Sequence, residues 1–283
     1  MPELPEVEII RRGLEHLTPG LTVAQVELLR PDCVASGAAG LSAGLAGQTL
    51  QSWQRRGKYL LGKLANGATW VVHLRMTGQL LWLTAPSPVT QHTRARFFFS
   101  QGQELRFVDQ RTFGRLWWVA PGQEVRAVVT GLQGMGAEPW DCSVQDLYLK
   151  CQTSHRPIKA ALLDQTWIAG LGNIYADECL FLSGIAPTTP CRDLCRTRIA
   201  GLHRAMIQVL ETSIELGGTT FAHFRHVQGM NGHYLDHAWV YGRAGQPCRV
   251  CGTAIQRQKI AGRSSHWCPR CQASVLPVRP AKH

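Results

Sequence analysis

The chain has 283 residues, 45% of them hydrophobic, which is enough for two domains that each bury a modest core. Its 30 Lys and Arg against 19 Asp and Glu give a formal charge of +11, an excess that favours a polyanionic partner because each neutralised phosphate releases counterions. No apolar run approaches the roughly 18 residues of a membrane span, and the acidic, proline-punctuated start has no signal-peptide core, so a cytoplasmic, membrane-free monomer is expected.

A first helix is predicted to begin near Pro5. Proline suits a first turn, Glu6 and Glu8 complement the positive helix end, and Val7, Ile10, Leu14 and Leu17 mark one apolar face. Gly20 ends it. From residue 21 to about 120 the pattern changes to strands and tight turns. Residues 59–64 and 69–74 flank Asn66-Gly67, and 94–99 and 104–108 flank Gln101-Gly102-Gln103, two hairpin signals. Residues 35–47 read as a small-residue loop. An N-terminal helix on a β-sandwich or flattened barrel is expected over residues 1–131. Gly131, Gly134, Gly136 and Pro139 mark a linker at 132–141. Helices are expected over 142–216, with Ile199, Leu202, Met206, Val209 and Leu210 on one face and Gly217-Gly218 as the stop. The second domain extends to 237, a strand-like, cysteine-bearing segment to 275, and a tail over 276–283. The fold class is α+β.

Cys248-Arg-Val-Cys251 and Cys268-Pro-Arg-Cys271 are two C-x₂-C knuckles separated by sixteen residues. Two such turns aim four thiolates at one tetrahedral ion, so one Zn²⁺ is expected; four protein ligands leave no position for water, which makes the site structural. Arg257, Lys259 and Arg263 are expected at the tip of the ribbon as a nucleic-acid contact. Cysteines 33, 142, 151, 179, 191 and 195 read as ordinary thiols, and histidines 223, 226, 233 and 237 as solvent or phosphate contacts.

Eight segments occur in one order: MPELPEVE from Met1, RRGKYL from Arg55, HLRMTG from His73, DQRTFG from Asp109, AGLGNIYADE from Ala169, TTF from Thr219, VYGR from Val240, and the four-cysteine ribbon. Together they closely resemble bacterial formamidopyrimidine-DNA glycosylase. The resemblance implies a sandwich with a leading helix, a helix-two-turn-helix module within 142–237 and a zinc-ribbon hairpin within 238–275, with damaged duplex DNA held between the domains. It also implies removal of 8-oxoguanine and formamidopyrimidines followed by strand cleavage. An endonuclease VIII-like pyrimidine glycosylase is the nearer alternative, although Leu4 and Arg111-Thr-Phe113 look like the purine branch. A zinc-ribbon DNA-binding protein without catalysis is the other, and the presence of Pro2, Glu3 and Lys58 speaks against it.

The resemblance makes Pro2, freed by removal of Met1, the nucleophile. An α-amino group titrates near pH 8 and a lysine above 10, so at neutral pH a terminal amine is far more often uncharged. A secondary amine on C1′ gives an iminium that has no N–H proton to lose, which favours β-elimination. By the same resemblance Glu3 manages protons during base loss, Glu6 orients the amine, Lys58 donates a proton in β-elimination, and Arg263 assists δ-elimination. Met76, Arg111 and Phe113 would fill the stack vacated by an extruded base, with Arg111 and Phe113 expected on one strand face. Asn173, His92 and Tyr241 would contact the DNA backbone. Gln110 stands where several relatives have proline, and Ser154-His155 where some have lysines, which puts a phosphate contact there in doubt.

Overall fold

Helix α1 (Leu4–Leu17) buries Val7, Ile10 and Leu14 on the expected face. Its stop is a hydroxyl as much as a glycine, because Thr18 Oγ1 and N–H both donate to the Leu14 carbonyl. The computed structural model describes residues 1–219 and 232–273. Thr220, Phe221, His223, His226 and the expected tail at 276–283 lie outside the described residues. The chain divides into one unit of Met1–Met135 with Ser213–Tyr234 and a second of Gly136–Thr212 with Leu235–His283.

In the first unit, α1 is followed by β1 (Val23–Leu28), α2 (Ala38–Leu45) and strands β2 (Leu50–Arg56), β3 (Tyr59–Leu64), β4 (Thr69–His73) and β5 (Gly78–Leu83). Then come β6 (Thr93–Phe99), β7 (Glu104–Asp109), β8 (Arg115–Val119) and a single turn of helix, α3 (Val125–Val128). The strands form two antiparallel sheets in the orders β1-β6-β7-β5 and β2-β3-β4-β8. Both hairpins form as the glycines signalled, with Gly67 and Gly102 at φ +84° and +89°. The sheets share one apolar core in which Trp70 lies 4.3 Å from Phe97 and 5.4 Å from Trp53, beneath the buried face of α1. Each such buried ring contributes on the order of 2–3 kcal/mol.

Residues 35–47 are not a loop throughout. Residues 38–45 form α2, with Leu41 and Leu45 fully buried one turn apart. Gly44 makes this possible: a Cβ there would lie 2.3 Å from the Trp118 ring. Packing against a tryptophan overrides the poor helix propensity of two glycines.

The second unit holds α4 (Val144–Gln152), capped by the Ser143 hydroxyl, then α5 (Ile158–Leu163), α6 (Asn173–Leu182) and all but the last three residues of α7 (Arg196–Glu215), whose predicted apolar face is buried. Helix α8 (Tyr234–His237) precedes the ribbon strands β9 (Gln256–Ile260) and β10 (Arg263–Trp267). Helix α6 is the centre: every residue from Ile174 to Phe181 is buried, two acids among them. Asp177 accepts from Lys159 Nζ at 2.6 Å and from the His266 N–H at 3.0 Å. Glu178 accepts the N–H groups of Trp239, Val240 and Tyr241 at 2.7–3.0 Å. Both acids therefore bolt the ribbon and its approach onto one helix.

Asp177→Ala leaves the buried Lys159 ammonium uncompensated and should cost about 3–5 kcal/mol. Urea unfolding of the zinc-loaded protein measures it, and a Lys159→Met/Asp177→Leu pair should recover most of the loss.

Candidate functional site

The first helix begins so that the N-terminus is enclosed. Glu6 turns back to accept the Glu3 N–H at 2.8 Å, the acidic half of a capping box. Its other oxygen accepts the Thr219 N–H and hydroxyl, each at 2.9 Å. Pro2, Glu3 and Glu6 are all buried. Lys58 occupies a two-residue hairpin turn with Gly57 (φ +55°), between Arg56 and Tyr59. It is only 7% exposed, so it is not a solvated strand-end charge. These side chains surround the α-amino group. Burial pushes the Met1 amine below its ordinary value, Glu3 and Glu6 oppose the shift by attraction, and Lys58 adds to it by repulsion.

Behind Lys58 lies His73, whose ring meets that of Tyr59 edge-on at 4.4 Å. Burial, then Arg75 and Lys58, push the His73 pKa down to about 3. The ring is therefore neutral, and its Nδ1 accepts the Arg75 N–H at 3.0 Å. That bond holds Arg75 at φ +53° and shapes the turn carrying the half-buried Met76. A second loop, between β7 and β8, carries Arg111 and Phe113. These two do not share a strand face. Thr112 between them sits at φ +56°, and the bend brings the Arg111 guanidinium over the Phe113 ring at 4.5 Å. A β-branched residue in this region stores roughly 1–2 kcal/mol of strain. Phe113 is 46% exposed, an aromatic edge open to a partner. His92 lines a shallow cavity of about 260 Å³ with Thr77, Gln79, Val108 and Gln110.

In the second unit, Gly170 (φ +86°) turns the chain into α6, whose first residue is Asn173. Asn173 Nδ2 donates to the Ser264 carbonyl at 2.9 Å, beside Arg263. Arg263 is exposed and follows a two-residue turn, Ala261-Gly262, with both residues at positive φ. Lys259 is exposed near that turn, but Arg257 is not at the tip. It pairs with His266 toward the cysteine end and donates to Ser264 Oγ at 2.9 Å. Tyr241 packs edge-on to His266 with centroids 5.0 Å apart. The motif DQRTFG was legible without a reason for its aspartate. Asp177 and Glu178 close the motif AGLGNIYADE, but nothing in it names their partners: Lys159 lies 18 residues earlier, and the N–H donors lie 61 to 89 residues further along the chain.

The four ribbon cysteines converge. Their sulfur atoms all lie within 4.8 Å of one another, with Cys248–Cys271 at 3.8 Å and Cys251–Cys268 at 3.4 Å. Tetrahedral zinc with bonds of about 2.3 Å requires sulfurs about 3.8 Å apart, so the donor set fits one structural Zn²⁺. Gly252, at φ +74°, completes the first knuckle.

The chain is thus a sandwich that encloses its own N-terminus, followed by helices and a four-cysteine ribbon. Family models cover most of it: the formamidopyrimidine-DNA glycosylase N-terminal domain at residues 1–116, the H2TH domain of the same enzymes at 135–225, and a zinc finger found in FPG and IleRS at 245–273. The formamidopyrimidine-DNA glycosylase of Nostoc punctiforme is 54% identical over 279 residues, 96% of each chain. Lactococcus lactis Fpg, solved with DNA containing an abasic site, superposes with a TM-score of 0.89 at 35% identity, covering 96% of this chain and 100% of that one. A complex of MutM with DNA containing carbocyclic 8-oxo-G gives the same TM-score and coverage. The chain belongs to the formamidopyrimidine-DNA glycosylase family.

Two outcomes are expected. His73 stays neutral in the fold but is protonated in the unfolded chain below about pH 6.5, so acid favours unfolding. Between pH 7 and pH 5 its share of the stability loss should be about 2 kcal/mol, read as the difference between wild type and His73→Asn in urea titrations. Elemental analysis should find one zinc per chain, and Cys268→Ser should weaken DNA binding more than it destabilises the first unit, because the ribbon has little core of its own.

Proposed function

We propose that the protein removes oxidised purines, 8-oxoguanine and formamidopyrimidines, from duplex DNA in the bacterial cytoplasm and then nicks the strand. The observation that carries this reading is the burial of Pro2, Glu3, Glu6 and Lys58 at an N-terminus whose Met1 amine feels the charges of all three ionisable side chains. The names of the curated relatives and the lesion-containing DNA held by the solved ones support it.

Removal of Met1 would make the buried Pro2 the terminal amine, which attacks in its uncharged form. Its nitrogen bonds to C1′ as the glycosidic bond breaks, and Glu3 handles the protons of base loss and sugar ring opening. The resulting iminium acidifies C2′. Loss of that proton expels the 3′ phosphate, with Lys58 as the proton donor, and a second elimination aided by Arg263 expels the 5′ phosphate. Water then hydrolyses the iminium and restores the amine. Glu6 orients the nucleophile, a role consistent with its bond to the Glu3 N–H. Met76, Arg111 and Phe113 fill the vacated stack, with Arg111 bonding the orphaned base. Asn173, His92 and Tyr241 hold the phosphate backbone. A zinc ion held by Cys248, Cys251, Cys268 and Cys271 would stabilise the ribbon that carries Arg263 and, with four protein ligands, would serve a structural role.

Borohydride should trap the protein on an 8-oxoguanine:cytosine duplex, and peptide mapping should place the sugar remnant on residue 2. A non-cleavable N-terminal tag should abolish trapping and leave DNA affinity largely intact. A remnant on Lys58 would make the lysine the nucleophile, and base release without trapping would mean attack by water.

A further inference from the structure

We infer that Asp109 is a positioning residue for base extrusion, its carboxylate fastening the Met76 turn and the Arg111–Phe113 loop into a single wedge. This rests on the proposal that those three side chains fill the vacated stack.

Asp109 ends β7 and is fully buried. Its Oδ1 accepts the Thr77 hydroxyl, from the residue after Met76, and the Arg111 N–H at 3.2 Å. Its Oδ2 accepts the Gly114 N–H at 2.7 Å, just after Phe113. One carboxylate thus holds both ends of the Arg111–Phe113 loop and the neighbouring turn together. Thr77 closes the triangle: its hydroxyl donates to Asp109 and accepts the Arg111 N–H at 3.0 Å.

The surroundings make this fastening strict. Each loop carries a non-glycine residue at positive φ, Arg75 and Thr112, a conformation that relaxes unless its surroundings hold it. Gly114 cannot carry a side chain, since a Cβ would lie 2.5 Å from the Phe107 ring and 3.1 Å from Asp109 Oδ2. The buried Arg94 grips the loop base from behind, with Nε donating to the Asp109 carbonyl at 2.7 Å and a second nitrogen to the Gln91 carbonyl at 3.0 Å. Arg115 donates to the Thr112 and Gly114 carbonyls at 3.1 and 3.0 Å. These guanidinium groups take carbonyls only. Asp109 takes donors from both loops, the Thr77 hydroxyl from one and the Arg111 and Gly114 N–H groups from the other, so with the Thr77–Arg111 bond it sets the register between Met76 and Arg111. A wedge must stay rigid while it holds a base step apart, because tenths of an ångström lost there are lost at the lesion.

Asp109→Asn keeps the shape but turns one acceptor oxygen into a donor facing N–H or O–H groups. Single-turnover base release from an 8-oxoguanine:cytosine duplex should fall about tenfold or more. Cleavage of an abasic site in a single strand, where no base is extruded, should change less than about twofold. A 2-aminopurine beside the lesion should show slowed opening of the stack, and discrimination between cytosine and adenine opposite the lesion should narrow. Thr77→Val removes only the bridging hydroxyl and should move the same readouts in the same direction by a smaller factor, with Thr77→Ser restoring them. It serves as the test should Asp109→Asn fail to fold. Equal losses on both substrates, or unchanged rates on both, would overturn the inference. Met76→Ala and Arg111→Ala run in parallel separate the two failures. If they leave duplex processing intact, the wedge reading falls. If they impair it while Asp109→Asn and Thr77→Val do not, only the role of Asp109 falls.

Discussion

The enclosure of the N-terminus depends on the carboxylate of Glu6. One oxygen closes the start of α1 through the Glu3 N–H, and the other holds Thr219, 213 residues later, through two hydrogen bonds. Gly218 beside it, at φ +75°, leaves room for this approach, because a Cβ would sit 3.0 Å from Glu6 Oε1. A single acid thereby joins the start of α1 to the segment beginning at Ser213, which returns to the first unit. A fully buried carboxyl group is tolerated because both of its oxygens accept hydrogen bonds. Without it the first turn of α1 and the returning strand of chain lose the same partner at once.

Much of this was legible from residue types because the determinants are local. Asn66-Gly67 and Gln101-Gly102 specify hairpins through positive φ, and α1 shows its apolar period in fourteen residues. The four cysteines declare their ion by spacing alone. The errors share a different origin. Helix α2 was hidden because its composition argues against a helix and its reason is the face of Trp118. The bend at Thr112 was hidden because a β-branched residue is the last one expected in the left-handed region. The displacement of Arg257 from the ribbon tip followed from register, which the hairpin turn at Ala261-Gly262 sets and the residue count does not.

The buried acids of α6 were illegible for a stronger reason. Asp177 and Glu178 lie in a helix that reads as apolar, and a carboxylate among such residues ordinarily signals an exposed edge. Their partners are an ammonium from α5, a backbone N–H from β10 and three N–H groups from residues 239–241. Only tertiary structure brings these together. The same holds for Asp109, whose neighbours in sequence are readable as a motif while its donors come from two separate loops.

The attachment of the ribbon to α6 also has a thermodynamic consequence. Metal affinity adds to the stability of whatever folds with the site, by an amount that grows with the logarithm of free zinc. If the ribbon hung from the helices by a bare linker, that gain would end at the hairpin. Here His266 and residues 239–241 share hydrogen bonds with the central helix, so opening the ribbon takes a donor from the buried Asp177 and loosens the segment that serves Glu178. Loss of the ion is then felt by α5 and α6 together, and the helical unit and its metal melt as one cooperative body.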